Sequence, residues 1–265
     1  MQPRRILLGS LLLGLAPGIA HAASSAWYDT EGGRIRLIVE DEPLPDGTIR
    51  GALSIDLKDG WKTYWKDPGD AGIPPQIDTA PSTNISGATI GFPAPERFET
   101  GDMHWAGYKG PVDLPVTFKV GDPALYAAID VDVFLGVCED ICIPVQARLS
   151  VTPDPQASSP VDMARVEAAF SRLPDAATPD FAITNFQASD ERIIASASLP
   201  KDAGAAALFV VTPQGWKFGA PEPGESASQF IIPVLERPAA GSPRPTIAYT
   251  LSTDLGAVDG AATVE

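Results

Sequence analysis

Histidine is nearly missing from this chain of 265 residues, with His21 and His104 only, and cysteine is as scarce, with Cys138 and Cys142. So small a stock of imidazoles and thiols excludes zinc fingers, iron–sulfur clusters and most histidine-built metal centres. Basic residues are short as well: 19 Lys+Arg stand against 34 Asp+Glu, a formal net charge of −15. A chain this acidic is poorly suited to nucleic acid or to an anionic membrane surface. The phosphate-cradling loops of P-loop and dinucleotide-binding proteins are missing, and so is the G-x-S-x-G elbow that a hydrolase using His104 would need. No cofactor is expected. After the first 22 residues no run of 18 apolar residues occurs, so no membrane-spanning helix is expected there.

What is present begins with a leader. Arg4 and Arg5 precede a mostly apolar run from Ile6 to Ile19, and Ala20-His21-Ala22 is a small-x-small cleavage site. Residues 1–22 therefore read as a secretory signal peptide, with the mature chain starting at Ala23. The run is too short and too broken by Gly and Pro to anchor in a bilayer. Its removal takes two positive charges and no acid, moving the net charge from −15 to −17, and leaves His104 as the only histidine. The expected location is an oxidising one, a bacterial periplasm, where two cysteines can pair.

Strand patterns dominate the remainder. Arg34–Glu40 and Thr48–Leu57 alternate apolar and polar residues, and Pro115–Val120, Leu125–Val137 and Ile143–Val151 follow. Val, Ile, Phe and Thr at period two, punctuated by Gly, Pro and Asp, predict antiparallel strands packed as a β-sandwich. Thr152–Pro160 has linker composition. Val161–Leu173 then spaces Met163, Val166, Ala169, Phe170 and Leu173 as one apolar helical face, with Asp162 as the expected cap and Pro174 as the stop. Strand patterns return at 181–188, 192–199, 206–212, 229–235 and 245–252. The expected fold is thus all-β: a signal peptide (1–22), a first sandwich (23–152), a linker and short helix (153–180), and a second, smaller sandwich (181–265) without cysteine or histidine.

Cys138 and Cys142 sit in Leu135-Gly-Val-Cys-Glu-Asp-Ile-Cys-Ile-Pro144. Four residues of extended strand span about 13 Å, whereas a disulfide needs its Cα atoms within about 7 Å. If the two pair, the chain must reverse at Glu139-Asp140-Ile141, giving a hairpin with the cysteines opposed across its base. Pro144 then argues that the outgoing strand is an edge, or that its pairing starts late. A bond closing so small a loop contributes only about 2 kcal/mol by chain entropy, and strain in a tight loop makes it easier to reduce. Three readings stay open from spacing: a structural staple in a binding module, a redox-active pair, and a Cu(I) site completed by Met103 or His104.

The order of several strings narrows this. Trp61-Lys-Thr-Tyr-Trp65-Lys-Asp-Pro-Gly-Asp-Ala-Gly72-Ile-Pro-Pro75 is followed by Phe92-Pro-Ala-Pro95, Gly107-Tyr108, Leu114-Pro-Val116 and Val137-Cys-Glu-Asp-Ile-Cys142-Ile-Pro144. Over roughly residues 27–152 the chain resembles the N-terminal periplasmic domain of the DsbD thiol:disulfide interchange family. Within that family it is most similar to the ScsB-like branch associated with copper tolerance and cytochrome c biogenesis. The resemblance implies an immunoglobulin-like sandwich whose Cys138 and Cys142 pass electrons to or from periplasmic thiol–disulfide proteins. This sequence has no transmembrane segments and no C-x-x-C domain of the thioredoxin type, so electron donor and acceptor, including a membrane electron transporter, are expected in trans. In the family an aromatic-tipped loop caps the cysteines. The segment from Gly101 to Ala106 resembles it, with Trp105 the first choice for the cap and Met103 and His104 next. Tyr64, Trp65 and Tyr108 match positions in the family strings; Tyr64 and Trp65 would lie near the cysteines or serve as core. Glu139 and Asp140 are expected to raise the thiol pKa values by like charge, or to be ordinary turn residues.

Overall fold

The computed structural model describes residues 22–69, 72–100, 103–153, 159–189, 191–239 and 243–265. The expected signal segment lies outside these, apart from Ala22. Twelve strands build the first lobe: β1 (Ala22–Ser24), β2 (Tyr28–Thr30), β3 (Gly33–Glu40), β4 (Thr48–Leu57), β5 (Lys62–Gly69), β6 (Gln76–Asp78), β7 (Ile85–Ile90), β8 (Glu96–Thr100), β9 (Met103–Lys109), β10 (Val112–Val120), β11 (Ile129–Cys138) and β12 (Cys142–Val151). One helix follows among the described residues, α1 (Pro160–Ser171). The second lobe contains β13 (Asp175–Ala176), β14 (Ala182–Ala188), β15 (Arg192–Ser198), β16 (Ala207–Val211), β17 (Lys217–Phe218), β18 (Glu222–Pro223), β19 (Gln229–Glu236), β20 (Thr246–Thr253) and β21 (Gly256–Thr263). The all-β expectation, two sandwiches around one short helix, is borne out.

In the first lobe one sheet runs β1-β3-β4-β10-β7, with β2 added to β3. The other runs β12-β11-β5-β9-β8, with β6 added to β11. Alternation decides what goes between them. In β11, Ile129, Val131, Val133, Leu135 and Val137 all point inward, and in β12 so do Val145, Ala147, Leu149 and Val151. The opposite parity, which includes Cys138 and Cys142, therefore falls on the outer face of this sheet. β3 and β4 break their alternation for a different reason. Leu37 and Leu53 face the core, while Ile38 and Ala52 point outward and are buried by α1, through Val166 and Ala169.

The helix starts one residue earlier than its apolar pattern indicates. Ser159, not Asp162, is the N-cap: its Oγ accepts the Asp162 amide, and Pro160 takes the first-turn position where no amide is needed. Asp162 is buried instead against Arg36 of β3, at 2.6 Å. Helix and first sandwich are thus joined by an apolar face and a shielded ion pair.

The second lobe packs sheet β13-β21-β20-β16 against β14-β15-β19-β17, with β18 on β19. Its own core gathers Phe186, Ile193, Leu208, Phe230, Ile232, Ile247, Tyr249 and Leu251. β16 also serves the first lobe: Phe209 is buried in that lobe's core cluster, and the half-buried Ala207 and Val211 pack against it.

Candidate dithiol site

The β11–β12 ladder runs in unbroken register from Ile129 opposite Val151 to Cys138 opposite Cys142, leaving Glu139, Asp140 and Ile141 as the turn. Directly opposed antiparallel residues have Cα atoms about 4.5–5.5 Å apart, inside the range a disulfide requires. Their Sγ atoms face each other, 2.7 Å apart. β12 is an edge strand, and Pro144 is accommodated there without delaying the pairing, since it sits opposite Gly136.

The two sulfurs differ in environment. Cys142 is exposed at the start of the edge strand, while Cys138 is 8% exposed although it lies on the outer face of the sheet. Its cover comes from a small aromatic cluster separate from the core: Tyr64, Trp105 and the half-buried Phe98. Trp105 stacks on Phe98, with centroids 4.4 Å apart, and tilts against Tyr64 at 5.2 Å. Lys62, the β5 partner directly opposite Cys138, places its ammonium 5.8 Å from the centroids of both Phe98 and Trp105, within reach of a cation–π attraction. Two residues on, the Tyr64 hydroxyl lies 2.7 Å from Cys142 Sγ. Lys62 and Tyr64 share a face because they are two apart on one strand.

Burial pushes the Cys138 thiol up, and the adjacent Cys142 sulfur pushes it further; the Tyr64 hydroxyl and the Lys62 charge pull it partly back. The rise has the direction expected from Glu139 and Asp140, but its causes are desolvation and the neighbouring sulfur. The two acids point into solvent from the turn. Tyr64 is itself held well above the usual phenol range, first by burial and then by its bonds to the sulfurs, so it stays a neutral donor.

The remaining candidates are distributed as follows. Trp105 lies on the cysteine side of β9, and His104, one residue away, points to the other side, where it meets Glu99 at 3.5 Å and lines the cleft toward the second lobe. Gly101 and Asp102 lie outside the described residues, and of Met103 only its place at the start of β9 is described. Trp65 faces the core, fully buried and edge-on to Phe209 at 5.9 Å. Tyr108 is also in the core cluster, and its hydroxyl donates to the Pro93 carbonyl at 2.8 Å. No group of three or more His, Cys, Asp or Glu side chains among the described residues could hold a metal ion. Lys62 and Phe98 belong to the cluster without having been singled out from sequence. The signal for Lys62 was its parity with Tyr64; Phe98 needed the β8–β9 pairing, which sets it opposite Trp105.

Comparison with known proteins gives two matches and one blank. The family described as "Thiol:disulfide interchange protein DsbD, N-terminal" matches residues 36–154. Among solved structures, the N-terminal periplasmic domain of ScsB from Proteus mirabilis aligns with a TM-score of 0.74 at 20% identity, covering 91% of this chain and 98% of that chain. At that identity the likeness is one of fold, and it extends over both lobes. No curated protein matches the sequence.

Proposed function

From the match of residues 36–154 to the DsbD N-terminal family, we propose that this protein exchanges electrons with periplasmic thiol–disulfide partners through Cys138 and Cys142. The observation that carries the reading is the asymmetry of the pair: opposed cysteines at the base of a three-residue turn, one open to a partner and the other under an aromatic shield.

In the accepting direction, a partner thiolate attacks Cys142 Sγ of the disulfide and the Cys138 sulfur leaves as thiolate, taking up a proton. The partner's second thiolate then attacks its own mixed-disulfide sulfur and releases Cys142. Two electrons and two protons have moved in, and the partner is left oxidised. In the donating direction Cys142 attacks an oxidised acceptor and Cys138 resolves the mixed disulfide. Tyr64 donates toward whichever charge develops on Cys142. Burial disfavours a thiolate at Cys138, so that sulfur adds no thiolate stabilisation to the reduced form. Export by residues 1–22 supplies the location.

The test is the reduction potential of the pair in the mature protein, by equilibration with glutathione and thiol trapping. A value within roughly −120 to −270 mV supports exchange. A value below about −300 mV, or no reduction while folded, makes the pair a staple and overturns the proposal.

A further inference from the structure

The hairpin of β8 and β9 has two faces with different duties. Phe98 and Trp105, directly opposed, point outward and cover Cys138. Arg97 and Ala106, the next opposed pair, have the other parity and point the other way. There Arg97 meets the second lobe: its Nη2 donates to the Leu208 carbonyl at 2.9 Å, and its guanidinium lies 5.2 Å from the centroid of Phe209. Burial draws its pKa down while Glu99 and Glu222 hold its charge.

Support from within the sheet is thin at this level. β8 is the edge strand, and the β5–β9 pairing is irregular between Tyr64 and Gly69, the stretch that borders Trp105. The same irregular stretch of β5 is fixed to the second lobe. Trp65 packs on Phe209, Lys66 pairs with Asp259 at 3.4 Å, and the Asp67 carboxylate accepts the Thr212 amide at 2.6 Å.

We propose that the second lobe positions the aromatic shield over the cysteine pair, with Arg97 as the positioning residue that carries its grip to Phe98 and Trp105. The proposal deepens the exchange reading and rests on it. It assigns the second lobe, which holds no cysteine of its own, a part in the reaction: it sets how often Cys138 is uncovered when Cys142 is engaged. A charge-assisted hydrogen bond and a cation–π contact are lost together when Arg97 is truncated, while the shield residues themselves are untouched.

The test uses the full chain, reduced in denaturant and refolded, and reads iodoacetamide alkylation of each cysteine separately by mass spectrometry. Arg97→Ala is expected to raise the Cys138 rate about tenfold, with the Cys142 rate changing less than about twofold because that sulfur is already open. Arg97→Lys, which keeps a cation for the Leu208 carbonyl and the Phe209 ring, is expected to restore most of the protection. Arg97→Gln keeps a donor without the charge and is expected to fall between; it carries the test if the alanine variant does not fold. A Cys138 rate unchanged in both Arg97→Ala and Arg97→Gln, or a rise of equal size at both cysteines, overturns the positioning role. Failure of the exchange reading looks different: a potential below about −300 mV in the unaltered protein, whatever these rates are.

Discussion

Cys138 and Cys142 are four residues apart, yet they occupy opposite extremes of solvent access. Parity alone does not produce that difference, because both point off the same outer face of the sheet. Neighbours do: Cys138 has β5 on its far side and Tyr64, Trp105 and Phe98 above it, whereas Cys142 is on the edge strand. The consequence is measurable as a pH dependence. Burial raises the Cys138 pKa by disfavouring the thiolate, so its reactivity must rise later with pH than that of an ordinary thiol. In a Cys142→Ala variant, which removes the second sulfur's contribution but not the burial, the Cys138 alkylation rate is expected to climb with a midpoint above the usual value of about 8.5. Stopped alkylation assays between pH 6 and pH 11 check this, the range being chosen to bracket that usual value of about 8.5. A midpoint at or below about 8 would mean that Lys62 and Tyr64 outweigh desolvation. The sign for stability follows from the same shift. The folded-state pKa lies above the unfolded one, so the reduced protein keeps this contribution below the ordinary thiol pKa and loses it as pH rises through the raised value.

At the scale of elements, the site is a meeting of β5, β9, β11 and β12 that depends on one missing side chain. A Cβ on Gly136 would come within 2.8 Å of the Tyr64 ring and 3.0 Å of Ile73 Cβ. Gly72, with φ of +148°, borders the opposite edge of the same ring. Gly136→Ala is therefore expected to cost about 2 kcal/mol by overpacking and to move the Tyr64 hydroxyl away from Cys142. Denaturant unfolding measures the first, and a changed Cys142 alkylation rate measures the second. Full stability with an unchanged rate would mean that the ring has slack. The β11–β12 hairpin was legible in the sequence because β12 alternates strictly, β11 keeps every odd position apolar, and a pairing of the two cysteines requires a reversal between them. β5 was not legible as a strand: it ends in Asp67-Pro68-Gly69, residues of turn type, and its irregular pairing with β9 is set by partners far away in the chain. β21 was missed for another reason, since its small residues carry little alternation and its place is fixed by β20. The Asp162 cap failed because an equally good capping residue, Ser159, preceded Pro160, and because nothing local shows that Arg36 waits for Asp162 across the helix–sheet interface.

For the whole molecule, the question is whether two sandwiches behave as one. The strand patterns on either side of the helix predict two sandwiches, and each lobe does have its own core. Phe209 crosses between them: it is carried by β16 of the second lobe, is 4% exposed, and is buried in the first lobe's cluster against Trp65 and under Arg97. The polar links nearby contribute less. Lys66 and Asp259 are a half-exposed pair in a screened setting, the kind that adds little. If Phe209 is the main apolar coupling, unfolding of the intact chain should be a single cooperative transition, since neither lobe can open without exposing that contact. Phe209→Ala should then remove about 3 kcal/mol and split the calorimetric trace into two transitions, one for each lobe. Lys66→Ala serves as the contrast and should leave one transition, shifted by no more than the small value of a surface ion pair. A single unsplit transition in Phe209→Ala would place the coupling elsewhere, in the Asp67–Thr212 bond and the Arg97–Leu208 bond. The hold on the aromatic shield would then run through hydrogen bonds rather than through a shared core residue, and it would survive loss of the ring.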